Sequence, residues 1–265
     1  MTDPRSLIFS RIAERTVRAA VVTDQSGVIA HIEPAAALAE ELGLTVEYAV
    51  AEGKPVSAGE EVLRVSGSPL AVAHADERLV GMMAKPSGIA TAAQAFVDHA
   101  AGELRIVSGA WKKLPLSQKD MIRTAITIGG AEPRIAQWPF VYLDKTFVQM
   151  LGGVGASLAA VAEHQALAQH RRVIQVTTAA EARDAAAAGA DTVFVDTGRP
   201  DDVIDAATAL RQTGMRDQVE LAFGGGITLS DVAALRQLDL DTIDVGRAIV
   251  DAELLDMRLR LLDAP

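Results

Sequence analysis

Short apolar segments alternate with polar, alanine-rich segments through the second half of the chain. The apolar runs predict buried strands at 173–176, 192–196, 219–223 and 242–245. The segments between them predict helices at 181–188, 200–211 and 230–237, with a final helix from about residue 250. Strands and helices that alternate at this spacing are typical of parallel strands joined by right-handed crossovers. We therefore predict an α/β fold whose parallel strands form a (β/α) barrel.

The first part of the chain has a different pattern. Strand-like runs at 18–32, 45–51 and 61–66, with a helix at 34–42, predict a small α+β sandwich. Two long helices are predicted next, at 73–83 and 87–100, and Lys85-Pro86 separates them. This pattern divides the chain into an N-terminal domain (1–84) and a barrel domain (85–251). A C-terminal helix, 252–265, is expected to pack back on the N-terminal domain.

Composition narrows the class of protein. Of the 265 residues, 49% are hydrophobic but only 4% are aromatic, which suits alanine-rich helices around Val- and Ile-rich strands. The net charge of −10 argues against a nucleic-acid partner. The chain has no cysteine, which excludes disulfides and thiolate chemistry. Because no apolar run is long enough to span a bilayer and no signal pattern is present, we expect a cytoplasmic protein with no membrane partner.

Two of the predicted strands end in glycine. Gly224, Gly225 and Gly226 follow the strand at 219–223, and Gly246 with Arg247 follows the strand at 242–245. Glycine allows backbone N–H groups to approach an anion closely, and the N-terminus of the next helix adds a positive dipole end. The last two βα loops of a barrel often form a phosphate site. We therefore expect a phosphorylated ligand here, with Arg247 as a candidate counter-ion.

Asp196 is the clearest candidate for chemistry outside the glycine loops. It ends the predicted strand at 192–196, and barrel enzymes keep catalytic groups at that end of their strands. The alternative is that Asp196 caps the N-terminus of the next helix. The histidines show no metal-ligand spacing.

Several motifs occur in an order that carries a family resemblance. They are Glu77-Arg78, Ser87-Gly88-Ile89-Ala90-Thr91, Trp111-Lys112-Lys113-Leu114-Pro115, Gly129-Gly130, Arg134, Val195-Asp196, Gly224–Gly226 and Val245-Gly246. With these motifs the chain resembles the quinolinate phosphoribosyltransferase family, also called nicotinate-nucleotide pyrophosphorylase, over about residues 18–260. The resemblance implies an N-terminal sandwich followed by an incomplete parallel barrel, in a homodimer or larger assembly whose active site is completed by the neighbouring subunit.

The resemblance also implies an activity and the residues that carry it. The family joins quinolinate to phosphoribosyl pyrophosphate and releases CO₂ and pyrophosphate, with Mg²⁺ as the implied cofactor. Lys112 matches a lysine that touches both substrates, and Asp196 matches an aspartate that holds ribose hydroxyls or the metal. Arg134 matches an arginine after a glycine cluster, and Arg78 matches one contributed across the dimer interface. The glycine loops match the family's phosphate loops.

Other positions depart from the family pattern. Trp111 replaces a carboxylate-binding arginine, and Asp144 replaces a substrate lysine. Gln175 and Ala222 each align with a glutamate, and Pro133 replaces a histidine. Losing a charge partner of a buried dicarboxylate costs about 3–5 kcal/mol. We therefore predict that the phosphate site is kept and that the acceptor is a small nitrogenous compound other than quinolinate.

Alternatives remain for these substituted positions and for the function. Trp111 could stack on a ligand or fill the space of the lost arginine, and Gln175 could bind ribose. Asp144 and Lys145 could be a substrate pair or an ion pair at a strand end. The function could instead be a lyase or isomerase reaction on a phosphorylated ligand using Lys112, Lys145 or Asp144. A third alternative is a homologue that binds a phosphorylated ligand without catalysis.

Overall fold

The computed structural model describes residues 3–262. In chain order the strands are β1 (Val17–Thr23), β2 (Gly27–Val28), β3 (Thr45–Ala49), β4 (Pro55–Val56), β5 (Glu61–Gly67), β6 (Arg105–Val107), β7 (Phe140–Leu143), β8 (Arg171–Val176), β9 (Thr192–Asp196), β10 (Glu220–Gly224), β11 (Thr242–Asp244) and β12 (Met257–Leu261). The helices are α1 (Pro4–Ile8), α2 (Ile32–Glu41), α3 (Pro69–Ala100), α4 (Lys119–Ile128), α5 (Lys145–Leu151), α6 (Val154–Ala162), α7 (Ala179–Ala187), α8 (Pro200–Gln212), α9 (Val232–Leu235) and α10 (Arg247–Val250).

The chain divides into two compact units. Unit 1 contains residues 1–94, 115–130 and 251–265, and unit 2 contains 95–114 and 131–250. In unit 1 an antiparallel sheet has the strand order β12-β1-β5-β3. Its apolar core joins side chains of this sheet with those of α2 and the first half of α3. This sheet and its helices form the α+β sandwich that the first part of the sequence predicts.

Helix α3 corrects the prediction of two helices separated at Lys85-Pro86. It is continuous, with Pro86 inside it, although a proline inside a helix costs about 3 kcal/mol. Contacts within unit 1 surround this turn of the helix. The Lys85 ammonium donates to the carbonyl of Ala252 at 2.7 Å, and the backbone N–H of Ala30 donates to the Ser87 hydroxyl at 3.0 Å. Burial on several sides therefore outweighs the local preference of proline. The domain boundary near residue 84 stays a prediction.

Strand β12 corrects the prediction of a C-terminal helix at 252–265. It pairs antiparallel with β1, from Thr23 opposite Met257 to Ala19 opposite Leu261. Met257 is buried and Leu259 is half-buried, whereas the arginines between and after them are exposed, so the side chains alternate with the period of a strand. The edge of β1 supplies the backbone partners that a helix would not use. Residues 263–265 of the predicted helix lie outside the described residues.

Unit 2 contains a parallel sheet with the strand order β6-β11-β10-β9-β8-β7. Alternate residues of neighbouring strands lie on one face of this sheet, and their side-chain contacts group them into three layers. The first layer, at the amino ends of the strands, is polar and contains Arg105, Thr192, Glu220 and Thr242. The middle layer is an apolar cluster that includes Val107, Val173, Phe194 and Ala222. The third layer, at the carboxyl ends, contains Gln175, Asp196, Gly224 and Asp244. The fold class predicted from the sequence, an incomplete parallel barrel with an N-terminal sandwich, is confirmed.

In residues 3–262 no single helix is long and apolar enough to cross a bilayer. Helices α5 and α6, which are bent by 85° relative to each other, have the necessary length and apolar composition only when the two are taken together.

Candidate active site

The carboxyl ends of the parallel strands of unit 2 gather most of the predicted site residues. Since parallel strands share one direction, the residues that end or follow them lie at the same rim of the sheet. These residues are Gly109 after β6, Asp144 after β7, Gln175 in β8, Asp196 at the end of β9, Gly224 at the end of β10 and Asp244 at the end of β11. We call this set, with Tyr142 and Lys112, the rim cluster.

Asp196 is held by the side chain of Gln175. The Gln175 amide Nε2 donates to Asp196 Oδ2 at 2.9 Å, while its Oε1 accepts the backbone N–H of Lys145 at 2.8 Å. The N-cap of the following helix α8 is Arg199 rather than Asp196, so the capping alternative is wrong. In the described residues, the second carboxylate oxygen of Asp196, Oδ1, has no hydrogen-bond donor.

Asp144 begins helix α5. Its Oδ1 accepts the backbone N–H groups of Thr146 at 2.9 Å and Phe147 at 3.1 Å, which makes it the N-cap. Lys145, the first residue of this helix, is exposed. Asp144 thus has a structural role that the sequence analysis did not propose, and its role in chemistry stays a prediction.

Tyr142 is a rim residue that the sequence analysis missed. Burial, followed by the negative charges of Asp244, Asp196 and Asp144, raises the pKa of its phenol far above the usual range. The Lys112 ammonium lies 5.6 Å from the centroid of the Tyr142 ring. The phenol therefore keeps its proton, and an uncharged hydroxyl faces the carboxylates at neutral pH.

Asp244 is the second missed residue. The backbone N–H of Gly109 donates to its Oδ1 at 3.0 Å. Burial raises the pKa of the Asp244 carboxyl, and the charge of Asp196 adds to this, while the Gly109 hydrogen bond and the charges of Lys112 and Lys113 oppose it. A sequence signal existed, because Asp244 ends its strand beside a glycine loop as Asp196 ends β9.

Trp111 and Arg134, both predicted site residues, are brought together. The indole Nε1 of Trp111 donates to the carbonyl oxygen of Pro133 at 2.6 Å. The guanidinium carbon of Arg134 lies 5.4 Å from the centroid of the indole ring, within the range of a cation–π contact. The ring is partly exposed and the arginine is exposed. Both therefore retain surface for a ligand.

The first glycine loop has a conformation that only glycine adopts easily. Gly225 and Gly226 have φ angles of 111° and 76° and are exposed. A Cβ on Gly225 would lie 2.5 Å from the backbone nitrogen of Gly198, whereas nothing lies within 4 Å of one on Gly226. A Cβ on Gly224 would lie 2.8 Å from the Phe194 ring. Close packing explains Gly224 and Gly225, and the backbone conformation explains Gly226.

The second glycine loop is different. A Cβ on Gly246 would meet only the Cβ of Ala110, at an ordinary 3.6 Å, so the protein itself does not require glycine there. Arg247 is exposed and begins α10. Because α9 and α10 are only four residues long, a phosphate would depend on backbone N–H groups more than on the helix dipole that we expected. Phosphate binding by both loops stays a prediction.

A magnesium ion fits this rim only together with a substrate. In residues 3–262 no group of three His, Asp or Glu side chains is placed to hold a metal ion. Mg²⁺ is commonly bound by one or two carboxylates and by substrate phosphates. Asp196 and Asp244 each offer a carboxylate oxygen without a donor among the described residues. These two could complete the coordination of a magnesium ion that arrives with a pyrophosphate.

One motif behind the resemblance has a structural role instead. The Thr91 hydroxyl accepts the backbone N–H of Val28 at 2.8 Å, and a Cβ on Gly88 would lie 1.9 Å from the backbone oxygen of Glu253. Ser-Gly-Ile-Ala-Thr thus fixes the packing of α3 within unit 1. Arg78 lies on the same helix, also in unit 1, and its part in the active site stays a prediction.

Comparisons with known proteins agree with this architecture. Residues 6–87 match the family model described as quinolinate phosphoribosyl transferase, N-terminal domain, and residues 89–260 match that of the C-terminal domain. A relative from Archaeoglobus fulgidus, provisionally named nicotinate-nucleotide pyrophosphorylase (carboxylating), is 26% identical over 253 residues, which are 95% of this chain and 96% of the relative. ModD of Rhodobacter capsulatus, provisionally named a pyrophosphorylase, is 28% identical over 212 residues, or 79% of this chain and 80% of the relative.

A solved structure gives the same result for the fold. The nicotinate-nucleotide pyrophosphorylase from Francisella tularensis superposes with a TM-score of 0.83 at 18% identity, covering 96% of this chain and 89% of that one. At this identity the likeness concerns the fold alone. Because the two family models together match most of the sequence, the resemblance predicted from the motifs is confirmed. The chain belongs to the quinolinate phosphoribosyltransferase family, a family of phosphoribosyltransferase enzymes.

Proposed function

We propose that this phosphoribosyltransferase uses phosphoribosyl pyrophosphate, or a related phosphosugar, and transfers its ribosyl group to a small nitrogenous acceptor other than quinolinate. One observation carries the proposal. The negative charges of three carboxylates, those of Asp144, Asp196 and Asp244, all help to raise the pKa of the Tyr142 phenol. Such a rim suits a ribosyl group that becomes positively charged, but it does not suit a dianionic acceptor.

The charge balance of the rim supports the exclusion of quinolinate. The charges of Lys112 and Lys113 lower the pKa of Asp244, and the rim contains three carboxylates. Quinolinate would add two more negative charges, and each buried charge left without a partner costs about 3–5 kcal/mol.

The proposed reaction exchanges one bond at the ribose C1 atom. The bond from C1 to the pyrophosphate oxygen breaks, the acceptor nitrogen forms a bond to C1, and pyrophosphate leaves with the bonding electrons. Asp196 would bind the ribose hydroxyls through Oδ1, and together with Asp144 it would stabilise the positive charge that develops on the ring. Lys112 and Arg134 would hold anionic phosphate groups, as donors of charge-assisted hydrogen bonds.

The remaining predicted residues would complete the sites for the donor and the acceptor. The loops at Gly224–Gly226 and Gly246, with Arg247, would bind the 5′-phosphate, and Arg78 would come from a second copy of the chain. Trp111 would contact the acceptor ring, and Lys145 would add positive charge at the rim. A bound Mg²⁺ would neutralise charge on the leaving pyrophosphate, held in part by Asp196 and Asp244.

An acceptor screen tests the proposal. Purified protein is incubated with phosphoribosyl pyrophosphate and Mg²⁺, and quinolinate, nicotinate, nicotinamide or other nitrogen heterocycles are supplied singly. Pyrophosphate release and nucleotide products are measured. We expect product with an acceptor less anionic than quinolinate, and a kcat/KM for quinolinate at least about 100-fold lower. Formation of nicotinate mononucleotide from quinolinate as the best substrate would refute the exclusion of quinolinate.

The same screen separates the other functions. Conversion of a sugar phosphate without any acceptor would indicate a lyase or isomerase reaction instead of phosphoribosyl transfer. Thermal stabilisation by phosphates without any turnover would indicate a binding protein without catalysis.

Two substitutions should restore affinity for quinolinate. Trp111→Arg with Asp144→Lys returns two cations of the family pattern and removes one carboxylate, so the net charge of the rim becomes more positive by three. We expect quinolinate to raise the melting temperature of this variant and not that of the wild type. Asp144→Lys also removes the N-cap of α5, at a cost of about 1 kcal/mol. Asp144→Asn is the matched control, because asparagine keeps the cap and removes one negative charge without introducing a cation. Equal responses of all three proteins would contradict the charge argument.

A further inference from the structure

We propose that Gln175 is a positioning residue, which fixes the carboxylate of Asp196 and the start of helix α5 relative to each other. This inference rests on the proposed function, in which Asp196 binds the ribose of the donor. It gives Gln175 a role through Asp196 and the backbone of Lys145, instead of the direct contact with substrate that its position in the rim first suggests.

The position of β8 in the sheet makes this bridge feasible. Strand β8 lies between β7 and β9, and Gln175 contacts the segment that follows or ends each neighbour. Its Nε2 donates to Asp196 Oδ2 at 2.9 Å on the β9 side, and its Oε1 accepts from the Lys145 N–H at 2.8 Å on the β7 side. The residue is only 8% exposed. One buried amide therefore links three consecutive strands at the rim.

The chemistry of the two contacts requires an amide. Asp196 needs a donor and the Lys145 N–H needs an acceptor, and among side chains of this length only glutamine supplies both without charge. An ionised glutamate would still accept from Lys145, but it would repel Asp196 instead of donating to it. A methionine of similar length would make neither hydrogen bond. Each substitution thus removes the Asp196 contact, treats the Lys145 contact differently, and also alters the side-chain hydrogen bond between Gln175 and the Tyr142 phenol.

The consequence for the ligand is specific. With Oδ2 bound to Gln175, Asp196 keeps Oδ1 without a donor among the described residues, so the amide decides which oxygen is left for the ribose. Asp144, Asp244 and Tyr142 also face this region, beside Lys112. A fourth carboxylate at position 175 would therefore disturb the donor site. Neither of these two hydrogen bonds of Gln175 involves a glycine loop.

Calorimetric titration of the full chain tests the inference with two probes. Phosphoribosyl pyrophosphate with Mg²⁺ engages the ribose site and the phosphate-binding groups, whereas inorganic phosphate has no ribose and engages only groups that bind phosphate. We expect Gln175→Glu and Gln175→Met to raise the Kd for phosphoribosyl pyrophosphate by about 10- to 100-fold, the effect of losing a hydrogen bond to a charged group. The Kd for inorganic phosphate should stay within about twofold, because the loops are independent of this bond. Gln212→Glu, at the exposed end of α8, controls for the added charge.

Two results would overturn the inference. One is an unchanged Kd for phosphoribosyl pyrophosphate in both variants. The other is an equal loss of affinity for both probes, which would indicate general damage to the fold. A double variant, Gln175→Glu with Asp196→Asn, reverses the donor and the acceptor, so it should recover the melting temperature without recovering donor binding. Recovery of both would mean that the Asp196 carboxylate is not the group that Gln175 positions for the ribose.

Failure of the proposed function gives a different result. If the wild type binds no phosphoribosyl pyrophosphate, the donor assignment is wrong whatever the variants do. Crystal structures of the wild type and Gln175→Met then decide the inference. Rotation of the Asp196 carboxylate away from its wild-type orientation supports positioning by Gln175, and an unmoved carboxylate refutes it.

Discussion

Several residues at the rim of unit 2 for which we propose chemical roles also have structural roles. Asp144 caps α5, Gln175 bridges three strands, and Gly109 holds Asp244 through its backbone N–H. These bonds use one oxygen of each of the three carboxylates, so the other oxygen of each remains for a ligand. A substitution here therefore affects both stability and binding, and the two effects have to be measured separately.

Asp244 should make stability depend on pH in a definite direction. Its pKa is higher in the folded protein than the usual value of 3.8, so between the two values the folded state binds more protons than the unfolded chain. Stability then falls as pH rises through that window. Asp244→Asn keeps an acceptor for the Gly109 N–H but cannot ionise. Its free energy of unfolding relative to wild type should therefore increase with pH, by up to about 1.4 kcal/mol per pH unit within the window.

Urea unfolding at a series of pH values measures this difference. The control is Asp205→Asn, on the exposed face of α8, which should leave the pH dependence of the wild type in place. A difference between Asp244→Asn and wild type that stays constant with pH, or that shrinks as pH rises, would contradict the proton balance.

At the scale of elements, α3 shows how a helix can be specified by its neighbours. Gly88 lies against the backbone of Glu253, and the hydroxyls of Ser87 and Thr91 bind the backbone of Ala30 and Val28. Small and hydroxyl side chains occur here because the chain segments of unit 1 approach α3 closely. The same close approach explains why the helix continues through a proline.

Two glycines of α3 should respond to alanine in opposite ways. On Gly88 a Cβ would lie 1.9 Å from the Glu253 backbone oxygen, whereas nothing lies within 4 Å of one on Gly81. Gly88→Ala should therefore lower the free energy of unfolding by at least about 1–3 kcal/mol, because backbone atoms must move. Gly81→Ala should raise it by up to about 1 kcal/mol through helix propensity. Chemical denaturation compares the two variants, and a Gly88→Ala variant as stable as Gly81→Ala would show that packing does not limit this helix.

At the scale of the whole molecule, the predicted site residues are divided between the two units. Lys112, Asp196 and the other rim residues belong to unit 2, and Arg78 belongs to unit 1. The family resemblance implies that the arginine is supplied by a neighbouring subunit. A homodimer with shared sites is therefore a prediction about assembly, and the binding behaviour of mixed subunits tests it.

Complementation between two defective variants should reveal shared sites. Arg78→Ala and Lys112→Ala should each weaken binding of phosphoribosyl pyrophosphate. After subunit exchange in an equal mixture, half of the dimers are mixed and each has one intact site, so about a quarter of the sites should bind normally. Titration calorimetry measures this fraction, and light scattering measures the mass of the assembly. Mixed dimers without any recovered sites would place Arg78 in its own subunit's site, and a monomeric protein would exclude sharing.

The sequence alone determined the secondary-structure elements that a short local pattern of residues is enough to identify. Apolar strands at 192–196 and 219–223 are buried in a sheet, and each pattern is complete within a few residues. The order of the motifs identified the family. Asp196 and the glycine loops also lie at the carboxyl ends of strands, because strand ends can be located from local pattern. Gln175 lies there too, but the family resemblance and not the local pattern singled it out.

Only the tertiary structure decided the features that depend on distant partners. The N–H group that holds Asp244 belongs to Gly109, 135 residues earlier in the chain, and the charges that act on Tyr142 come from three different strand ends. The continuity of α3 through Pro86 and the strand at 257–261 likewise depend on other segments of unit 1. Local sequence preference favoured a helix break at Pro86 and a helix at the C-terminal segment. Burial and backbone pairing with distant segments contributed more free energy, and no local pattern contains that contribution.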